Sequence, residues 1–317
     1  MIRWGTVTTT NAPLKQILEF AAWHLELGAH RILIYLDDDA PEAMATLSAH
    51  PKLRVFRTDA AWWAKRNGRP AKHQVRQGAN ARHANNRKPD CDWLAHIDVD
   101  EFLLPQIPIA DQLADLPDQC LCARVRPVEA LAPTANSAEK EHLFKAFHLD
   151  QGPRQRAALT CFPNWGAHLS GGFLSHVAGK LFFRPATKGL QIRIHNIELG
   201  GGANPGEEAL LRTELGHFHA ASWAHFRDLY RFRMARGSYR AELKPQVRQT
   251  PGKAQAQPVN LHELFTLIEA EGGEEALHLF YTEVCTATPD LTRKLSQEGL
   301  LRRARMDLER LRRAHFG

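Results

Sequence analysis

The stretch Trp93–Leu104, which reads WLAHIDVDEFLL, carries the clearest chemical signal in the chain. An apolar run leads directly into Asp98, Asp100 and Glu101, and a second apolar run follows. Three carboxylates in apolar surroundings are costly unless a cation neutralises them, and Mg²⁺ or Mn²⁺ prefers carboxylate and phosphate oxygens. The stretch therefore predicts a metal-dependent enzyme with a phosphorylated or nucleotide-linked substrate. The alternative is a turn at the end of a strand, with the acids capping the next helix.

The composition is that of an ordinary globular protein with a mild excess of positive charge. The chain of 317 residues is 44% hydrophobic and 24% charged, with a net charge of +6. This charge suits an anionic donor such as a sugar nucleotide, although a membrane surface or nucleic acid would also attract it. Five cysteines without a Cys-x-x-Cys pair argue against a disulfide scaffold or zinc ribbon and favour a reducing compartment.

The two ends of the chain bear on its location. Polar threonines follow Met1 too early for a signal peptide, and no stretch approaches the ~20 apolar residues of a membrane span. Leucines recur on one helical stripe of Asp290–His315, and arginines fill the other faces. We expect a cytoplasmic protein whose C-terminal helix either packs on the protein or contacts the inner membrane peripherally. We expect no nucleic-acid partner.

The first hundred residues alternate between strand and helix patterns. Strands are predicted over Ile2–Thr9, Arg31–Leu36, Leu53–Phe56 and Trp93–Ile97, and helices over 14–28, 41–49 and 74–87. This alternation predicts an α/β fold with a mostly parallel sheet flanked by helices. The acidic clusters Asp37–Asp39 and Asp98–Glu101 both follow strands, at the edge where such sheets bind ligands.

The rest of the chain predicts two further regions. Short β-like runs separated by Pro and Gly predict an antiparallel extension over 121–128, 143–148, 158–162, 180–184 and 190–194. Helices are predicted over 223–236, 261–270 and 273–286, and Gln246–Pro258 is typical of a linker. We expect a first domain over residues 1–240 and a helical extension over 241–317.

The acidic stretch resembles the metal-binding motif of GT-A glycosyltransferases, in particular family 2-like bacterial proteins with an Asp-Val-Asp-Glu-Phe motif. Further segments that resemble the family are Thr10-Asn11, His24 with Gly28, Ile34–Asp39, Lys180–Pro185 with Ile194–Asn196, and His217–Ser222. Ala12 and Ala221 depart from the family, which has Glu and Lys there. Over residues 1–240, the resemblance implies a GT-A fold and inverting transfer from a nucleotide-sugar donor to a glycan or glycoconjugate acceptor in polysaccharide biosynthesis.

The resemblance also implies roles for individual residues. Asp100 would bind Mn²⁺ or Mg²⁺ directly, and Asp98 would reach the ribose or the metal. His195 would complete the metal site, with a structural histidine as the alternative reading and His217 as the competing ligand. Donor contacts are implied for a set of polar residues: Thr8, Asn11, Asp37, Asp38, Gln77 and Asp98.

The acceptor side is less constrained by the sequence. Glu101 is the expected general base, although it could instead brace the following segment, and Glu207 and Glu208 are alternatives. Trp165 is a candidate for stacking on the acceptor sugar, with a place in the core as the alternative.

Other protein classes use similar residues. A sugar-phosphate nucleotidyltransferase usually has a glycine-rich loop near its N-terminus, whereas Thr8–Pro13 contains no glycine. A metal-dependent phosphatase normally has its Asp-x-Asp after the first strand, whereas this one follows a later strand. A basic binding module for membranes or polyanions explains the charge but not the acids. Of these classes, a glycosyltransferase explains the largest number of the sequence features.

Overall fold

The computed structural model describes residues 1–38, 40–134, 140–241 and 260–317. The chain forms two compact units. The first comprises Met1–Pro127, Ala178–Leu215 and Asp307–Gly317, and the second comprises Val128–Val177 and Gly216–Met306. The predicted domain boundary at residue 240 stays a prediction. The predicted linker Gln246–Pro258 lies outside the described residues, as does Asp39.

Strands and helices alternate through the first part of the chain. These elements are β1 (Trp4–Thr10), α1 (Leu14–Glu26), β2 (Arg31–Leu36), α2 (Pro41–Ser48), β3 (Leu53–Arg57), α3 (Ala60–Ala64), α4 (His73–Asn86), β4 (Trp93–His96), β5 (Glu101–Pro105), α5 (Ile109–Ala114) and β6 (Cys122–Ala130).

Shorter strands dominate the middle of the chain, and helices dominate its end. The middle elements are β7 (Glu141–Lys145), α6 (Gln151–Cys161), β8 (Lys180–Phe183), β9 (Gln191–Ile192), β10 (Ile197–Leu199), β11 (Gly202–Ala203) and β12 (Glu208–His217). The last elements are α7 (Trp223–Ala235), α8 (Leu261–Cys285), α9 (Pro289–Gln297), β13 (Leu301–Arg305) and α10 (Leu308–Phe316).

Four parallel strands form the centre of the first unit, in the order β3–β2–β1–β4. β2 is an unbroken apolar run, which is typical of a parallel strand whose two faces are both covered by helices. β8 pairs antiparallel with β4, β6 pairs antiparallel with β8, and β12 pairs with β5 and β6. The predicted α/β class, with a mostly parallel sheet and an antiparallel part, is confirmed.

The helix α1 shows how the apolar pattern produces this packing. Ile17, Leu18, Ala21 and Ala22 are buried on one side of it, as their helical spacing predicts. Gly28 follows with a φ of 92°, a left-handed conformation that glycine adopts without strain. α10 packs against α1 in the same unit.

In the second unit, β7 pairs antiparallel with β13 and with the last residues of β6. A fully buried ion pair lies here, with Lys145 Nζ 3.0 Å from Glu129 Oε2. The same ammonium donates to the carbonyl oxygens of Gly172 and Val284, and the Glu129 carboxylate accepts from the backbone of Ser175. Burial alone would raise the pKa of Glu129, but Lys145 and these hydrogen bonds hold the pKa below its ordinary value.

Two predicted elements are wrong. Ala158–Phe162 was expected as a strand, but it forms the C-terminal turn of α6 and its cap, because a short apolar run fits either structure. Asp290–His315 was expected as one amphipathic helix, but Gly299, at a φ of 70°, ends α9 and the next residues pair with β7 as β13. The peripheral membrane contact predicted for the C-terminal helix stays a prediction.

Other helical predictions at the end of the chain agree with the structure. α7 begins at Trp223 as predicted, and the two predicted helices over 261–286 form α8, which is interrupted at Gly273 by a non-helical backbone. Within the described parts of the chain, none of the helices combines the length and the apolar character that a membrane span requires.

Candidate functional site

The order of the parallel sheet reverses at β1. The chain proceeds from β1 outward through β2 to β3, and then returns to place β4 on the other side of β1. Open α/β sheets bind ligands at such a reversal, in the crevice beyond the carboxyl ends of the strands. Asp37 directly follows β2, and Asp98 lies two residues after β4. Asp37 and Asp98 therefore both lie at this edge of the sheet.

One side of α4 connects these strand ends. Four of its polar residues are spaced three or four positions apart, which places them on the same face of the helix: His73, Arg76, Gln77 and Asn80. The first two contact Asp37, the third donates to Asp98, and the fourth donates to Thr9 Oγ1 at 3.1 Å. The polar helix predicted from the sequence thus bridges the ends of β2, β4 and β1.

Asp98 is held from two sides. Gln77 Nε2 donates to its Oδ1, and Lys180 Nζ on β8 donates to its Oδ2 at 2.6 Å. Lys180 is 1% exposed, and its Nζ also lies 3.4 Å from Glu101 Oε2. Burial alone would lower the pKa of the Lys180 ammonium, but Asp98 and Glu101 outweigh it and raise the pKa well above its ordinary value. Lys180 is therefore a buried permanent cation.

Glu101 braces the turn that carries Asp98. Its Oε2 accepts the backbone N–H of Asp98 at 2.7 Å, and the Glu101 backbone N–H donates back to the Asp98 carbonyl at 3.0 Å. The Glu101 residue is 4% exposed. This geometry favours the bracing role over that of a general base, and the catalytic assignment stays a prediction.

The Asp37 carboxylate lies at the centre of a cluster of basic side chains and is not exposed to solvent. Its buried carboxylate accepts from Arg76 Nε at 2.8 Å and lies 3.2 Å from a terminal nitrogen of Arg69 and 3.4 Å from His73 Nδ1. Burial would raise the pKa of Asp37, but His73 and Arg76 lower it below its ordinary value. Asp38, next to it, is exposed.

His195 lies near the start of β8. Its Nδ1 is 2.8 Å from the carbonyl oxygen of Gly179, so in the neutral ring this nitrogen carries the proton and Nε2 carries the lone pair. Gly179 has a φ of 76°, and a Cβ there would lie 2.1 Å from the Val125 carbonyl oxygen. Arg124 supports the same region, because it donates to the His195 carbonyl at 3.0 Å and pairs with Glu207.

The donor atoms at Asp98 do not fit the predicted metal ion in this arrangement. Gln77 and Lys180 engage both oxygens of the carboxylate, and the second partner is itself a cation. Among the described residues, no three His, Cys, Asp or Glu side chains are grouped so that they could hold a metal. The assignment of Asp98, Asp100 and His195 as metal ligands stays a prediction.

The remaining predicted residues are placed as follows. Thr8 is fully buried within β1, and Asn11 is exposed in the turn after it. Trp165 and His217 belong to the second unit, where Trp165 packs edge-on against Phe280 at 5.4 Å between ring centroids. Their predicted acceptor and metal roles stay predictions.

Two residues of this site were not predicted from the sequence: Lys180 and His73. Lys180 is separated from Asp98 by 82 positions, and only the pairing of β8 with β4 brings the two together. A lysine that opens an otherwise apolar strand, KLFF, was the available signal, since a buried lysine needs an acidic partner.

No protein-family model and no curated protein matches this chain. One similar solved structure is HddC from Yersinia pseudotuberculosis, at 9% identity over 42% of this chain and 64% of that one, with a TM-score of 0.29. Another is the galactosyltransferase LgtC with donor and acceptor sugar analogues, at 12% identity over 57% and 58%, with a TM-score of 0.29. A third is GalNAc-T7 with UDP, GalNAc and Mn²⁺, at 10% identity over 69% and 44%, with a TM-score of 0.30.

This chain spans less than two thirds of the length of each of these three structures. Likenesses at such TM-scores decide neither fold nor function. The function proposed below therefore depends on the residues of this chain.

Proposed function

We propose that this protein is a GT-A type glycosyltransferase that moves a sugar from a nucleotide-sugar donor to a glycan or glycoconjugate acceptor. The observation that supports it most is the position of Asp98. This carboxylate lies at the reversal of the parallel sheet and is oriented by Gln77 and Lys180. A partly buried acid held by a buried ammonium at a ligand-binding edge is costly, and such an arrangement is typical of a functional site.

Two buried side-chain oxygens without a hydrogen-bond partner among the described residues support the same position for the donor site. Gln77 is 3% exposed, and its contact with Asp98 fixes the amide so that Nε2 donates and Oε1 is left as an acceptor. Within the described part of the chain, neither Gln77 Oε1 nor Asn80 Oδ1 has a hydrogen-bond partner. Ribose and sugar hydroxyls are donors that would satisfy such acceptors after a small movement of the surrounding side chains.

Basic side chains near the start of α4 suit the anionic part of the donor. Arg69 is half exposed while its guanidinium is anchored on Asp37, and His73 is partly exposed beside it. An anchored guanidinium binds phosphate oxygens with less loss of side-chain entropy than a free one. Asp37 then acts by orienting these groups, and the exposed Asp38 is the acid left to contact the nucleoside.

In the proposed reaction, an acceptor hydroxyl oxygen forms a bond to the anomeric carbon while the bond from that carbon to the donor phosphate oxygen breaks. The leaving nucleoside diphosphate takes the electron pair, and the acceptor hydroxyl loses its proton to a base. The resemblance implies inversion of configuration at the anomeric carbon. The configuration of the new glycosidic bond in the product, compared with that of the donor, tests this expectation. Asp100, half-buried in the turn after Asp98, is the acid that we propose faces the donor.

The phosphatase alternative is less consistent with this geometry. An Asp nucleophile attacks phosphorus through a carboxylate oxygen, and the donors Gln77 and Lys180, one on each oxygen of Asp98, lower its nucleophilicity. No observation favours the nucleotidyltransferase.

A thermal-shift screen of nucleoside diphosphates and nucleotide sugars tests the proposal. We expect one nucleotide class to stabilise the wild-type protein and to stabilise Asp98→Asn much less. Asp118→Asn is the matched control, because Asp118 is an exposed acid of the same unit. The proposal fails if no nucleotide stabilises the protein, or if Asp98→Asn responds like the control.

A further inference from the structure

The ammonium of Lys180 lies where the sequence predicts a metal ion. Its Nζ is 2.6 Å from Asp98 Oδ2 and 3.4 Å from Glu101 Oε2. A Mg²⁺ or Mn²⁺ ion on the same carboxylate would need to approach these oxygens to about 2.1 Å. The two cations would then lie a few ångström apart in a buried site, where their repulsion is strong, so each weakens the binding of the other.

We propose that Lys180 is the resident cation of this site, and that the protein binds Mn²⁺ tightly at Asp98 only when the ammonium is removed. This inference builds on the proposed function, since it assigns the charge at that same site. The acids of this stretch need a cation, as the sequence predicts. The structure supplies that cation from β8 of the chain itself.

The balance of charge supports this competition. Asp98, Glu101 and Asp100 all raise the pKa of Lys180, so the three carboxylates and the ammonium form one electrostatic group. Its formal charge is two negative with the ammonium present and three negative without it. Loss of Lys180 would therefore increase the attraction for a divalent cation and also release oxygens of Asp98 and Glu101 as ligands.

The anchoring of Lys180 makes the ammonium hard to displace. It opens β8, where its backbone pairs with Val125 of β6 and the next residue, Leu181, pairs with His96 of β4. Gly179, which precedes it, has a positive φ that would be strained for a residue with a side chain. The Gly179 carbonyl oxygen is hydrogen-bonded to the His195 ring. Displacement by a metal would leave the ammonium buried without its carboxylate partners, which is costly.

Isothermal titration with MnCl₂, without nucleotide or acceptor, tests the inference. Lys180→Met keeps an unbranched side chain that is one atom shorter and removes the charge. We expect it to bind Mn²⁺ at least about tenfold more tightly than the wild-type protein. Lys188→Met is the matched control, because it removes the same charge at an exposed position of the same unit. It should bind Mn²⁺ as the wild type does. Adding Asp98→Asn to Lys180→Met should abolish the gained affinity.

Two results would overturn the inference. One is unchanged Mn²⁺ affinity in a folded Lys180→Met protein. The other needs no variant at Lys180: micromolar Mn²⁺ binding by the wild type that Asp98→Asn removes would show that the ammonium does not exclude the metal. Because no sugar is transferred in these titrations, their outcome is independent of whether the glycosyltransferase proposal fails in the nucleotide screen.

Discussion

Replacing Asp37 by Asn tests whether this acid organises the basic cluster at the end of β2. The side chain is 2% exposed and contacts three basic residues, with Arg76 the closest at 2.8 Å. Removing one partner of a buried ion pair typically costs 3–5 kcal/mol. The amide keeps one acceptor oxygen, and the half-exposed Arg69 can be solvated, so we expect a loss near the lower end, about 3 kcal/mol in free energy of unfolding.

The dependence of this effect on pH follows from the pKa of Asp37. The folded-state pKa lies below the ordinary value of 3.8, because the basic neighbours outweigh the effect of burial. A depressed pKa means that the carboxylate stabilises the fold fully above the unfolded value and loses this contribution as the pH falls through the folded value. The difference between wild type and Asp37→Asn should therefore be constant at neutral pH and narrow below about pH 4.

Urea unfolding followed by tryptophan fluorescence measures the difference, with Asp38→Asn as the matched control. Asp38 undergoes the same chemical change at an exposed position one residue away, so its unfolding midpoint should stay close to that of the wild type. An Asp37→Asn protein that is as stable as Asp38→Asn, yet no longer responds to nucleotide, would refute the organising role. It would instead restore the direct donor contact predicted from the sequence.

Three further substitutions test other parts of the account. Gly179→Ala should destabilise the protein by more than about 2 kcal/mol in urea unfolding, because its Cβ would lie 2.1 Å from the Val125 carbonyl oxygen at a positive φ; wild-type stability would contradict the turn geometry. Glu129→Gln should cost about 3 kcal/mol, measured in the same way, because it leaves Lys145 buried without its counter-charge; a loss under about 1 kcal/mol would contradict that pairing. Gln77→Met should fold normally but lose most of the thermal shift with nucleotide, and a full shift would exclude Gln77 from the donor site.

The central sheet could be predicted because its signals are local. The apolar run Arg31–Leu36 has the same bounds in the structure, and the helix predicted over 74–87 differs from α4 by one residue at each end. Asp98 and Asp37 could be placed at one edge because parallel strands present their carboxyl ends together. These inferences need only the period of the sequence and the handedness of βαβ connections.

The partners of these acids could not be predicted, because they depend on long-range pairing. Lys180 reaches Asp98 only through the antiparallel alignment of β8 on β4, and nothing in the local pattern of KLFF specifies that neighbour. The sequence predicted that a cation was needed, but the same acids fit either a metal or an ammonium. The C-terminal prediction failed for a similar reason, since the pairing of Leu301–Arg305 with β7 overrides a helical pattern of leucine and arginine.

A crystal structure with the nucleotide that gives the largest thermal shift would test the central claim most directly. The account predicts the nucleoside diphosphate beyond the carboxyl ends of β1 and β4, with its phosphates near Arg69 and His73 and within reach of the turn that carries Asp98. A nucleotide bound elsewhere in the first unit, or in the second unit, would contradict it.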